Sequence, residues 1–269
     1  MTRYIALLAL ILTLASCKKD KDETTEIPVT TDTIAEPAVL SFDNKIYEKK
    51  STLGKKEPRT SVSIDVPEAV GPGADSINNK IFRTVREIVH FGERPADAKS
   101  YSEVMASFVG AYEELTKKYP DEDIAWEAKV DGNIAYQNDS IVNVKLTHYV
   151  FAGGAHGYGA DTSLLFDAKT GRSIKPDDLF KDKKGFTALA EKKFRAKYNI
   201  KGNINSTGLF FLDEKFALPN NIFVTDKGYL LQYNTDEVAA HAEGQKDVLI
   251  TYNEAKPFQA PPQPSPRGR

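Results

Sequence analysis

The stretch "IVNVKLTHYVFAGGAHGYGADTSLLFDAKTG", residues 141–171, decides how this chain folds. Val142, Val144, Leu146, His148 and Val150 alternate with Asn143, Lys145, Thr147 and Tyr149. A period of two puts the first set on one face of a strand and the second on the other. Gly153, Gly154 and Gly157 then surround His156, and "TSLLFD" reads as a second strand. Glycine tolerates positive φ and close backbone approach, so the glycine segment is a bend between the two strands. "DAKTG", 167–171, is a hairpin turn.

The same segment excludes a phosphate loop. It has no Lys-Ser/Thr ending, no GxGxxG spacing, and a strand rather than a helix follows it. Gly153 and Gly154 therefore serve the backbone.

Outward from this hairpin, strands run over 41–50 and 60–70. Val62, Ile64 and Val66 share one face of the latter, and Pro67 is expected to end it. After "GPG", a helix capped by Asp75 or Ser76 carries the stripe Ile77, Ile81, Val85, Ile88 and Val89, widened by Phe82. A second helix from about Ala96 carries Tyr101, Met105, Phe108, Tyr112 and Leu115, and stops before Pro120. "IAWEAKV", 124–130, reads as a strand, Asp131-Gly132 as a tight turn, and "NIAYQN" as the returning strand. Downstream, "IKPDDLF" is a single capped turn and "GFTALAEKKFRAKY" a helix with Phe186, Leu189, Phe194 and Tyr198 inward. A hairpin about 226–228 and a last strand, "KDVLITYNEA", close the fold. Strands and helices are segregated, which predicts an α+β fold of largely antiparallel sheets, with two helices in the N-terminal half and one main helix in the C-terminal half.

The chain has 269 residues, 41% hydrophobic and 28% charged, with a formal net charge of −2. That composition fits a globular body, and interleaved charges without a basic stripe argue against a nucleic-acid partner. Arg3, the apolar run 4–15 and "LASC", 14–17, resemble a bacterial lipoprotein signal whose cleavage precedes a lipidated cysteine. Cys17 is the only cysteine and so cannot form an intramolecular disulfide. The expected organisation is a signal peptide over 1–16, a tether over 17–40, domains over 41–140 and 141–255, and a disordered proline-rich tail over 256–269. Lys18 after the cysteine resembles lipoproteins sent to an outer membrane. The expected location is that membrane, facing the periplasm or the cell surface, anchored through Cys17.

Chemistry-bearing residues are few. His148, His156 and Asp161 are the one trio that a bend could gather, for a metal or for acid/base work. The competing reading makes His148 a core-face histidine and lets His156 bond the turn. No GxSxG elbow is present, and "PDD", 176–178, reads as a helix cap rather than as paired catalytic carboxylates.

"FAGGAHGYGADTSLLFDAKTGRSIKPDDLF", 151–180, resembles the domain-of-unknown-function family numbered 3298, whose members show a Gly-Gly-Ala-His bend, a strand ending in "FD..TG" and a "..DLF" segment. "LLQYNTDEVAAHAEGQKDVLITYNE", 230–254, is similar to the end of that family, with Ala240 and His241 where a Pro-Tyr pair is more usual. The part before, about 41–138, resembles the companion family numbered 4163. The resemblance implies a bacterial envelope protein. One relative is the extracellular, lysozyme-binding part of an anti-sigma factor, and another accompanies a peptidoglycan deacetylase domain as a non-catalytic module. The resemblance thus points to a non-enzymatic binding or sensing lipoprotein without a cofactor, its partner a lysozyme-like muramidase or peptidoglycan. Tyr149, Phe151, Gly153, Gly154, His156, Tyr158 and Asp161 are the candidate contact residues. An acidic face made by Asp161, Asp167, Asp177 and Asp178 would suit a basic muramidase. The alternative is a metal-dependent or acid/base hydrolase of envelope polymers centred on His156, His148 and Asp161.

Overall fold

Six strands form one large sheet, in the order β1 (Ser41–Lys50), β2 (Ser61–Val70), β3 (Glu127–Gln137), β4 (Ile141–Phe151), β5 (Tyr158–Asp167) and β6 (Ser173–Ile174). They belong to a computed structural model that describes residues 39–53, 57–91, 97–120 and 124–260. Every neighbouring pair is antiparallel except β2 and β3, which run parallel. A parallel pair needs a crossover. Helices α1 (Ala74–Val89) and α2 (Tyr101–Lys118) lie in that connection. A second, three-stranded sheet of β7 (Asn221–Val224), β8 (Gly228–Tyr233) and β9 (Lys246–Thr251) follows α3 (Lys183–Lys197), and the short α4 (Tyr252–Ala255) closes the order. The α+β class, the mainly antiparallel sheets and the helix distribution are as the sequence predicts.

Two cores flank the large sheet. Ile77, Ile81 and Val85 of α1 and Phe108 and Tyr112 of α2 pack on Val62, Ile64, Val130, Val144 and Leu146. Phe186, Ala190 and Phe194 of α3 join Ile222, Leu231 and Ile250 of the small sheet in the second core. A register shift between Ile134 and Tyr136 turns Tyr136 opposite Asn143, and Tyr136 enters the second core with Ile141 and Leu165. One bulge thus lets a single strand serve two cores.

Several elements differ from expectation. Strand β2 does not end at Pro67, which faces Asn44 of β1 within the ladder. Ser61 donates its N–H to Trp126 O, on the β3 side, so odd-numbered residues of β2 point their N–H that way. The β3 ladder stops at Asp65, and the next outward donor used is Ala69 N, bonded to Asn78 Oδ1. Pro67 stands between them, where no strand asks for a donor.

Asp131-Gly132 is not a turn: β3 runs straight through it. A Cβ on Gly132 would lie 2.8 Å from Pro67 Cδ and 2.9 Å from Leu146 Cδ2, so the glycine serves close packing. Helix α1 begins after Gly73, which carries no side-chain cap, so neither Asp75 nor Ser76 is the N-cap. Helix α2 begins at Tyr101, after Ser100, whose side chain accepts from Glu103 N; Ala96 lies outside the described residues. Leu115, assigned to its buried stripe, is exposed. Lys256–Ala260, assigned to the tail, belong to the body: Lys181 N bonds Phe258 O, and buried Gln259 donates Nε2 to Tyr229 OH. The signal segment, Cys17 and most of the tether also lie outside the described residues.

Candidate binding surface

The face of the large sheet opposite α1 and α2 is half covered and half open. Cross-strand register sets Glu48, Ser63, Lys129 and Tyr149 in one row, and Ile46, Asp65, Asp131 and Thr147 in the next. These side chains are exposed or half-buried. Toward the other end of the same strands Asn143 and Leu165 are buried beneath the C-terminal elements. The open half carries Glu48, Asp65, Glu127 and Asp131 against Lys50 and Lys129, so acidic groups outnumber basic ones there. Lys129 pairs with Asp131 at 2.9 Å.

The bend forms one rim of this open half. Gly153 and Gly154 have φ of 92° and 91°, a region that side-chain-bearing residues avoid. Tyr149 is 40% exposed and Phe151 half-buried on this face, whereas Tyr158, 51% exposed, stands opposite Val150 and leaves the other face, its ring 6.0 Å from that of His148. The Tyr149 ring lies over Gly157, where a Cβ would come within 2.4 Å of it. His156 is exposed, its Nδ1 3.2 Å from Gly157 O, and its ring lies 5.3 Å from that of His241. His241 Nδ1 lies 2.9 Å from Asp236 Oδ2.

Asp161 is not a rim residue. It is 6% exposed and lies where the open half meets the covered half. Oδ1 accepts from Thr147 Oγ1 at 2.7 Å; Oδ2 accepts from Gln232 Nε2 at 2.7 Å and from Lys145 Nζ at 2.8 Å. Its backbone N–H donates to Asn234 Oδ1, and its carbonyl accepts from Asn221 Nδ2 and Asn234 Nδ2. Ser163 N donates to Asn221 Oδ1, and buried Asn143 takes Val224 N on its Oδ1. Beyond the short β6 ladder the outer edge of β5 has no strand beside it among the described residues. Side-chain amides of the small sheet satisfy it, which blunts an edge that would otherwise invite pairing. Burial pushes the Asp161 pKa up, but the bonds from Lys145, Thr147 and Gln232 outweigh it and hold the carboxyl below its ordinary value.

The trio of His148, His156 and Asp161 does not assemble. Asp161 stands opposite Thr147, whereas His148 stands opposite Ala160, so their side chains leave opposite faces of the sheet. Burial lowers the His148 pKa, against Asp161, which raises it, and His148 Nδ1 is buried with no hydrogen-bond partner among the described residues. Among the described residues no group of three or more His, Cys, Asp and Glu could hold a metal ion. The four-aspartate face does not form either. Asp161 is buried, Asp167 Oδ1 binds Lys169 N and Thr170 N in its turn, and Asp177 pairs with Lys183.

Sequence reasoning missed Asn143, Ser163, Asn221, Gln232 and Asn234. The available signal was asparagine inside or at the start of strands, where it is depleted unless its amide is used.

These features define an α+β protein whose two parts share one large sheet and are tied by a buried polar seam. Two segments match known families: residues 177–253 match the family described as protein of unknown function (DUF3298), and residues 53–158 match the family described as deacetylase PdaC. The glycine bend falls in the second match. A DUF3298-family protein of Bacteroides fragilis has the same fold, with a TM-score of 0.69 at 19% identity over 83% of this chain and 95% of that one. A DUF3298-family protein of Pseudomonas aeruginosa matches with a TM-score of 0.60 at 17% identity over 82% and 95%. No curated protein matches the chain.

Proposed function

We propose that this protein is a non-enzymatic binding module of the bacterial cell envelope, held at the outer membrane by a lipid on Cys17, whose open half-sheet takes a basic, muramidase-like protein. The two domains indicate an envelope-associated family. The observation that carries the reading is the open half-sheet itself: a broad polar surface, acidic in balance, rimmed at the bend by exposed Tyr149. Tyrosine beside charge suits a protein interface, and an acidic patch steers a basic partner. The hydrolase alternative loses its support, because the side chains it needs leave opposite faces of the sheet. Among the described residues no helix is long and apolar enough to cross a membrane; attachment at Cys17 rests on the lipoprotein-like signal and "LASC" segment, residues 4–17.

Calorimetric titration of the chain with c-type lysozyme at low and at moderate salt tests this. Micromolar or tighter binding that weakens with salt is the expected outcome. Absence of heat at both salts would remove the muramidase and leave peptidoglycan fragments as the ligand to titrate.

A further inference from the structure

A second feature lies on the other face of the large sheet and does not depend on that reading. Beside β1, the first turns of α1 and α2 enclose a cleft of about 520 Å³, within the roughly 300–1,000 Å³ usual for small-molecule sites. Its wall is aromatic. The rings of Tyr47 and Tyr101 stack at 4.7 Å and 29°, and Phe82 meets Tyr101 edge-on at 5.2 Å. All three rings are half-buried. Polar groups of both signs surround them: Lys45 pairs with Glu68 at 3.4 Å, and Lys99 and Asp75 also line the cleft. The side chains of Asp75, Asn79, Lys99 and Ser102 are exposed and form no hydrogen bond or ion pair among the described residues.

This lining selects a ligand class. Balanced charge disfavours a dedicated anion or cation site, and the free polar groups disfavour an acyl chain. A pyranose ring matches both parts: its C–H face lies on aromatic rings, and its hydroxyls exchange hydrogen bonds with amide, hydroxyl, carboxylate and ammonium groups. Burial, together with Tyr47 and Glu68, raises the Tyr101 pKa, so its hydroxyl remains a neutral donor throughout the working range.

We infer that the cleft walled by Tyr47, Tyr101 and Phe82 is a saccharide-binding site, with Asn79, Ser102, Lys99 and Asp75 as its polar contacts.

The test is titration of the full chain with two β-1,4-linked tetrasaccharides, chitotetraose and cellotetraose, followed by amide NMR shifts. At least one should move the signals of Tyr47, Asn79 and Tyr101. Tyr47→Ala should weaken that binding about tenfold, the upper range for one aromatic contact. Asn79→Ala changes an exposed residue, so it should weaken binding about threefold, the size of a neutral hydrogen bond, without moving the unfolding midpoint. A Glu48→Lys/Glu127→Lys variant, altered on the opposite face, should keep its saccharide affinity. The inference is overturned if neither sugar shifts these signals at millimolar concentration, if the shifts fall elsewhere, or if a peptidoglycan stem peptide binds the cleft and the sugars do not. None of these results bears on lysozyme binding, which is read by its own titration.

Discussion

Gln232 Nε2 donates to Asp161 Oδ2 at 2.7 Å, joining β8 of the small sheet to β5 of the large one through two buried side chains. Lys145 neutralises the same oxygen from β4, so a charge is buried with its partners in place. The junction between the sheets is therefore directional: each amide has one geometry that satisfies it. Apolar packing alone would tolerate slippage.

Asp161→Asn tests that junction. It keeps the shape and removes the charge, and Lys145, a third exposed, can turn to solvent. The loss should be about 1–3 kcal/mol in urea unfolding. The pH dependence follows from the lowered Asp161 pKa. Between the folded and the ordinary value the unfolded chain binds the proton and the folded chain does not. This contribution is thus complete above the ordinary carboxylate range and lost as pH falls through the folded value. The variant should lose less stability on acidification than the wild type. Equal acid slopes would show that Asp161 does not bind the sheets through its charge.

Gly132→Ala tests the reading of β3 as one unbroken strand. The added Cβ would press on Pro67 Cδ and Leu146 Cδ2, in a part of the sheet with a packed face. Overpacking of this kind costs about 1–3 kcal/mol, measurable as a lower urea midpoint. A neutral result would mean that β2 and β3 part locally with ease.

The reach of the sequence has a physical boundary. The period-two rows of β4 and the helical stripes of α1 and α3 were legible because side-chain period follows directly from backbone geometry. Asp131-Gly132 misled because a dipeptide that favours a turn also suits a strand whose neighbour comes too close for a Cβ, and only the Pro67 ring decides between them. Pro67 misled for the converse reason: whether a proline ends a strand depends on which neighbour its missing N–H would face. At the candidate surface, the exposure of Tyr149 at the bend was legible, whereas Tyr158, grouped with it as a contact residue, leaves the other face with His148. The inward use of Asp161 was not legible, because its bonds to Gln232, Asn234 and Asn221 span more than half a hundred residues of chain.

Lys193→Met tests the anchorage of α4. Glu254 accepts from Lys193 Nζ at 2.7 and 2.8 Å and caps its own helix through Thr251 Oγ1 and N. The Lys193 bond first, then those from Thr251, pull the Glu254 pKa down to about 2. Removing Lys193 should return the carboxyl part of the way toward its ordinary value, with Thr251 still holding it low, as NMR titration of the Glu254 side chain would show. The linked stability is present above the ordinary glutamate pKa and lost as pH falls toward about 2. Because both side chains are about a third exposed, solvent screening keeps the contribution to stability small. An unchanged titration would sink the assignment of Lys193 as the main cause.

Glu48→Lys with Glu127→Lys tests the open half-sheet as a docking surface for a basic protein. Both residues are exposed strand positions on one face, so the fold should keep its unfolding free energy within about 0.5 kcal/mol of the wild type. Charge reversal there acts on encounter more than on fit. Association with c-type lysozyme should slow, and the difference from wild type should shrink as salt rises. Tyr149→Ala removes a rim contact without altering charge. Its effect should instead appear as faster dissociation, about threefold to tenfold, at every salt concentration. If the charge variant associates as fast as wild type at low salt while Tyr149→Ala still dissociates faster, the contact lies at the bend and the acidic half-sheet plays no part in steering.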